Sequence, residues 1–176
     1  ASEDRDRHRI LAVHENAFGD EEGPVIAHLV AEMLADPTGE PMFSLVAELA
    51  DELVGHGLFT SVTLEPNSEV SDQILAPLAV IPDRQGQGIG SRLIKDGFAR
   101  LMEAGVELVF VLGYPDYYSR FGFVPAGARG FHAPYPILAK NADAWMVHEL
   151  SAGAIEQYAG AVRCSKALDH PQYWQE

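Results

Sequence analysis

Thiols and cations are scarce in this chain of 176 residues. Its one cysteine, Cys164, excludes an internal disulfide and agrees with a reducing compartment. None of the seven histidines has the spacing of a zinc helix, and no cysteine stands ready to complete a metal site, so no metal is expected. Lys and Arg number 12 against 26 Asp and Glu, a formal net charge of -14. A surface this acidic repels a phosphate backbone, which argues against nucleic acid as a partner. No apolar run approaches the length of a membrane span and no basic-then-apolar leader opens the chain, so no membrane partner is expected and the cytoplasm is the default. The chain begins at Ala1 without an initiator Met, from which trimming of a few residues is expected. The absence of any Gly-x-Ser-x-Gly removes the nucleophile elbow of serine hydrolases. Internal repeats and disordered linkers are missing as well, and the length suits a single domain over 1–176.

What is present is a junction. The apolar run from Ile74 to Ile81 stops at Pro82-Asp83, Gln85-Gly86-Gln87-Gly88-Ile89-Gly90 follows, and a helix begins at Ser91-Arg92-Leu93. Glycines let the backbone approach a ligand closely. The first turn of the helix carries amides without intrahelical partners, and the helix dipole adds about half a positive charge there. A phosphate fits such a place. Spacing narrows the ligand. A nucleotide-triphosphate loop needs Lys-Ser or Lys-Thr after its last glycine, where this chain has Ser91-Arg92. A dinucleotide fingerprint needs a glycine three places after Gly88, where Ser91 stands, and belongs in the first strand-to-helix unit.

The remaining pattern, Gln-x-x-Gly-x-Gly at Gln85, Gly88 and Gly90, resembles motif A of the GCN5-related N-acetyltransferases (GNAT), which binds the pyrophosphate of acetyl-coenzyme A. Its surroundings strengthen the likeness. Ile89, Leu93, Ile94, Phe98 and Leu101 recur at the helical period, the helix stops near Ala104-Gly105, and Val106 to Leu112 reads as a strand covered on both faces. The segment from Gly113 to Val124 is similar to motif B of the same superfamily. Its Tyr117-Tyr118-Ser119-Arg120-Phe121-Gly122-Phe123 resembles the Tyr-Tyr-x-Arg-Phe-Gly-Phe form of a set of bacterial acetyltransferases.

Elsewhere the pattern predicts two amphipathic helices, Asp4 to Phe18 and Pro24 to Leu34, broken at Gly19 to Gly23. A hairpin of Phe43 to Ala50 with Leu53 to Leu64 follows, in which Gly55 and Gly57 either weaken the second strand or let something approach it. Glu65 to Asp72 reads as a polar loop, Pro125 to Asn141 as a Pro-, Gly- and aromatic-rich stretch, and Ala144 to Leu150 as a late strand. The superfamily's first strand has little or no sequence left to form it. The resemblance implies an α/β (α+β) acyl-CoA N-acyltransferase fold: a twisted, mixed, mainly antiparallel sheet of about six strands, a central parallel pair, and helices on both faces.

The same resemblance implies a transferase that moves an acetyl group from acetyl-CoA directly to a primary amine. Donor binding falls to Gln85, Gly86, Gln87, Gly88, Ile89, Gly90 and Ser91, with Arg84 or Arg92 as cationic help. The pantetheine arm pairs with the strand at Leu78, Ala79 and Val80, and an amide near Val80 polarises the thioester. Pro77 fits a strand whose ladder is interrupted there, with or without a ligand. Register relative to Gly-Phe gives Tyr118 the role of protonating the departing sulfur. A phenol, with a reference pKa of about 10 against about 8.5 for a thiol, is a sensible donor. Tyr117 reads better as packing, and Arg120 pairs either with a phosphate or with a surface carboxylate. No general base is assigned: the sequence does not place Asp72, Gln73, Glu48, His56 or His148 relative to the site, and a water chain or an amine that arrives deprotonated is an equal alternative. Phe131, Tyr135 and Trp145 read as core more readily than as a pocket wall. The alternative to an enzyme is a non-catalytic acyl-CoA-binding sensor, and a longer acyl donor stays open. The acceptor is a small-molecule or peptide amine that the sequence does not specify. Paired subunits are common in the superfamily, so a homodimer is open too.

Overall fold

Runs that alternate between apolar faces in the sequence pair into one twisted sheet, with a helical layer on each side. The structure is a computed structural model and describes residues 6–66 and 71–175. It opens with α1 (Arg7–Ala35), which is bent at Gly19, where φ is 82° and ψ is -177°. That combination is essentially restricted to glycine. The two expected helices are therefore halves of one bent element; Asp4, the expected start, lies outside the described residues. The halves fold back on each other. The Arg7 guanidinium donates to the Ala31 carbonyl at 2.7 Å, across a stretch that a straight helix would hold about 36 Å long.

β1 (Phe43–Leu49) and β2 (Glu52–Glu65) form the expected hairpin, turning at Ala50 and Asp51, whose φ values are 50° and 65°. β3 (Asp72–Val80) runs antiparallel to β2 and leads through a glycine loop into α2 (Ile89–Glu103). Part of the expected polar loop before β3, residues 67–70, lies outside the described residues. β4 (Leu108–Leu112) is parallel to β3. After it come α3 (Pro115–Tyr118), β5 (Val124–Pro125), β6 (Phe131–His132), β7 (Trp145–Glu149), α4 (Ala154–Gln157) and β8 (Gly160–Arg163). The sheet order is β5-β7-β4-β3-β2-β8-β6, with β1 on the first half of β2. Among the described residues it thus has eight strands rather than six, because two-residue strands such as β5 and β6 are too short to leave a periodic trace. The parallel pair stands at the centre as expected; β6 and β8 form a second one at an edge.

Adjacent residues point to opposite layers. Leu58 and Ile74 pack with Leu29 and Met33 of α1, whereas Phe59 and Leu75 pack with Leu93, Ile94 and Leu101 of α2. Each such side chain contributes about 1.5–3 kcal/mol on burial. Gly55 lets α2 come close: a Cβ there would stand 3.1 Å from both Ile89 and Leu93. Of the expected aromatic group, Phe131 and Trp145 are core. Trp145 stacks on Phe110 at 5.3 Å and donates its indole N–H to the Phe131 carbonyl at 3.1 Å. The C-terminal stretch is tied to the turn after α1, since the Asp36 carboxylate accepts the Ala167 amide at 2.9 Å. Among the described residues no helix is long and apolar enough to cross a membrane.

Candidate active site

β3 and β4 are in register over Asp72 to Ile74 beside Leu108 to Phe110, and beyond that point they part. On the other edge of β3, Gly57 faces Leu78 and Phe59 faces Leu75, so Ala76 and Pro77 together stand opposite Leu58. Two residues against one is a β-bulge, at the interruption that Pro77 suggested. Past the bulge, the bond from the Ile81 amide to the Val54 carbonyl, 2.9 Å, sets the phase of the ladder. In an antiparallel pair alternate residues turn their polar groups to opposite sides. Ile81 and Ala79 therefore face β2, and Leu78 and Val80 face the gap that β4 has left. The Val80 carbonyl, on that side, accepts the Gln85 side-chain amide at 3.0 Å.

The glycine loop then folds back on itself. Arg84 donates its amide to Ile81 at 3.0 Å and Gln85 to Pro82 at 3.3 Å. Gly86 and Gly88 have φ of 78° and 84°, a region that disfavours a Cβ. Among the described residues, the amides of Gly86, Gln87, Gly88, Ile89, Gly90 and Ser91 donate to no protein acceptor, and the first intrahelical bond of α2 is Arg92 to Gly88 at 3.0 Å. A cradle of free N–H groups at the positive end of a helix dipole is an anion site.

Cradle and gap open into one cleft of about 1290 Å³. Of the residues that the sequence proposed for donor binding, Leu78, Val80, Gln85, Gly86, Gly88, Ile89, Gly90 and Ser91 line it. The proposed set narrows in two places. Ala79 turns its main chain to β2 and buries its side chain with Ile10 and Val13. Gln87 keeps its main-chain amide in the cradle, while its side chain reaches back to the Asp83 carbonyl at 3.4 Å. Gln85 lines the cleft, but both of its nitrogens are engaged inside the loop, so it braces the cradle. Arg84 and Arg120 line the cleft; Arg92 does not, and stands 3.9 Å from Asp96.

Tyr117 and Tyr118 both line the cleft as well. The Tyr118 ring lies where a Cβ on Gly113 would be, edge-on to Tyr117 at 5.0 Å and to Phe123 at 5.7 Å. Burial, with a smaller contribution from Tyr117, pushes its phenol well above the ordinary value, so it is protonated at every physiological pH. The Tyr117 hydroxyl instead meets α2, where a Cβ on Gly90 would stand 2.6 Å from it.

None of the base candidates suggested by the sequence lines the cleft. Glu48 pairs with Arg9 at 3.0 Å, and Gln73 donates to the Pro41 carbonyl at 2.9 Å. His56 is buried between His14, at 2.8 Å, and Ser44, at 2.7 Å. Burial pushes the His14 imidazole down to about 4 and that of His56 to about 3. Asp72 is buried at the far end of β3, and His148 stacks on Phe98 at 4.7 Å beneath Gly122. The carboxylates that do line the cleft, Glu21, Glu22 and Asp143, belong to no motif: two follow the helix break and the third lies in a 3-10 helix. The helical spacing that Glu21 and Glu22 share with Val25, Ile26 and Leu29 was the trace that could have found the first two.

Residues 1–126 match the acetyltransferase (GNAT) domain family. The chain is 45% identical over 142 residues to the uncharacterized N-acetyltransferase YjhQ of Escherichia coli K12, covering 79% of this chain and 77% of that protein. In structure it is similar to the E. coli GNAT family N-acetyltransferase YhbS in complex with CoA, with a TM-score of 0.85 and 27% identity over 96% of this chain and 89% of that one. It is also similar to a GNAT family acetyltransferase from Brucella melitensis in complex with acetyl-CoA, with a TM-score of 0.72 and 27% identity over 96% and 95% of the two chains.

Proposed function

The chain belongs to the GNAT acetyltransferase family, and on that footing we propose that it transfers the acetyl group of acetyl-coenzyme A directly to a primary amine. The observation that carries this reading is the run of unclaimed amides from Gly86 to Ser91, set beside the gap between β3 and β4. A diphosphate matches the cradle, and Arg84 and Arg120 supply counter-charge. Leu78 turns its main chain to the gap, where an extended pantetheine amide can pair with it. Val80 presents its amide on the same side, and a donor at a developing oxyanion is typically worth about 10² to 10³ in rate. The complexes of YhbS with CoA and of the Brucella protein with acetyl-CoA support the same donor.

Bound there, acetyl-coenzyme A supplies an acetyl group activated as a thioester. In the transfer a C–N bond forms and the C–S bond breaks; the amine gives up a proton and the sulfur takes one. Tyr118 is the proposed source of the second proton. Its phenol lies above the thiol in pKa, stands in the cleft and is held by the packing of Gly113 and Phe123. We assign no residue to the first proton. Membership of the Tyr-Tyr-x-Arg-Phe-Gly-Phe subgroup, a single domain over the whole chain and a cytoplasmic location belong to the same proposal.

Titration calorimetry with acetyl-coenzyme A, followed by thiol release against a panel of amines, tests it. Saturable binding with amine-dependent release is expected. Failure to bind the donor would overturn the reading.

A further inference from the structure

Resting on that reading, we propose that the acceptor is a dicationic alkyl amine, in which a hydrocarbon chain separates the amine to be acetylated from a second cationic nitrogen that Glu21 and Glu22 hold. The wall of the cleft formed by the second half of α1 is a single helical stripe: Glu21, Glu22, Val25, Ile26 and Leu29 fall at offsets of three or four residues, and Phe18 joins them from across the bend. Its polarity is graded. Leu29, 4% exposed, packs in one cluster with Ile74, where β3 and β4 part. Ile26 is half-buried, Val25 is 49% exposed, and Glu21 and Glu22 are open to solvent. Leu29 and Glu22 lie about 10 Å apart along the helix. The stripe therefore offers hydrocarbon first and carboxylate last, which matches an alkyl chain with a charged end better than a polyhydroxylated body.

Charge divides the cleft in the same sense. Arg84 and Arg120 stand by the cradle, and Glu21 and Glu22 on the α1 wall. Lys140 and Asp143 offset each other on the wall beside the end of β4, where Gly113 donates to Ala144 at 2.9 Å. Among the described residues no cation pairs with Glu21 or Glu22, so both carboxylates are open to a cation that enters the cleft. Independently, the rings of Phe18 and Tyr173 line the same cleft, and aromatic faces attract cations.

The chemistry explains why a second nitrogen is required. The reacting amine must be neutral to attack, so carboxylates gain nothing from it in the transfer. A remote nitrogen keeps its charge throughout, binds equally in ground and transition states, and lowers KM more than it alters kcat.

Octylamine, 1,8-diaminooctane and 8-aminooctanoate reach about the 10 Å from Leu29 to Glu22 and differ in terminal charge, so they form the test. At low salt the diamine should have a kcat/KM about tenfold above octylamine, in the range of a pair of exposed ionic contacts, with 8-aminooctanoate lowest. The preference should shrink as salt rises. In Glu21→Gln/Glu22→Gln the preference should vanish through a higher KM for the diamine, while the dissociation constant of acetyl-coenzyme A, measured by calorimetry, stays within about twofold. Glu21→Lys/Glu22→Lys should reverse the order toward 8-aminooctanoate. Equal kcat/KM values, a diamine preference that survives the Gln variant, or no turnover of any of the three by protein that binds acetyl-coenzyme A would overturn the inference while leaving the donor reading intact. Failure to bind acetyl-coenzyme A would remove both.

Discussion

Replacing Asp72 by Asn should stabilise the protein, and by an amount that grows with pH. Asp72 begins β3, lies beside Leu108 and opposite Val62, and is 1% exposed, with no hydrogen-bond partner for either carboxyl oxygen. Burial pushes its carboxyl from 3.8 up to about 7; the charge of Glu107 adds to the rise and the Leu108 main chain offsets part of it. A folded-state pKa above the unfolded one means that the native chain holds a proton which the unfolded chain has released. The corresponding stability is fully present below about pH 4 and is lost as pH rises to about 7. At about 1.4 kcal/mol for each pH decade, that rise gives a penalty of about 4 kcal/mol at pH 8, against a total stability of about 5–15 kcal/mol for a domain. Asn keeps the shape and removes the charge. Urea unfolding followed by the fluorescence of Trp145 and Trp174, both buried and 5.7 Å apart, measures the difference between pH 4.5 and 8.5. Asp72→Asn should lie within about 1 kcal/mol of the wild type at the acid end and exceed it by up to about 4 kcal/mol at the alkaline end. A difference that does not change with pH, or a variant less stable at pH 8, would refute the reasoning.

The buried histidines act with the opposite sign. His14 and His56 are held below their usual value of 6.5, so the stability of keeping them neutral is complete above 6.5 and is lost as pH falls toward 4. In the Asp72→Asn background, unfolding titrations should show a loss on the order of 3 kcal/mol from His14 alone as the pH falls from 6.5 to about 4. A flat acid limb would contradict it. Tyr118→Phe should lower kcat by about 10² to 10⁴ with little change in donor affinity, whereas Tyr117→Phe should leave kcat nearly intact. Stopped-flow thiol release separates the two, and an unimpaired Tyr118→Phe would favour a binding module over an enzyme. Gly90→Ala should weaken acetyl-coenzyme A binding at least about tenfold, because the new methyl meets the Tyr117 hydroxyl at the lip of the cradle. Calorimetry on Gly90→Ala/Tyr117→Phe should recover part of that loss.

Local pattern carried the parts of this fold that are local. The turn into α2 was legible because its glycines, its helix period and the strand before it are contiguous, and the same holds for the hairpin, whose turn the pattern puts at Asp51-Glu52 and the structure one residue earlier, at Ala50-Asp51. The bend of α1 was legible as an interruption, but its consequence was not. One rotation at Gly19 folds two amphipathic halves together, and the bond from Arg7 to Ala31 is written nowhere in the spacing of either half. The base candidates failed for a related reason. A carboxylate near a motif in sequence can sit a whole strand away from it in space: Asp72 and Val80 share β3, yet some 26 Å of extended chain separates them. Conversely, Glu21 and Glu22 are far from both motifs in sequence and enter the cleft because α1 is folded over the point where β3 and β4 part. The cradle proposed for the donor thus comes from one contiguous stretch of chain, while the wall proposed for the acceptor is assembled from a helix bend, a loop and the C-terminal stretch. Contiguous residues leave a pattern in the sequence; residues brought together only by the bend at Gly19 do not.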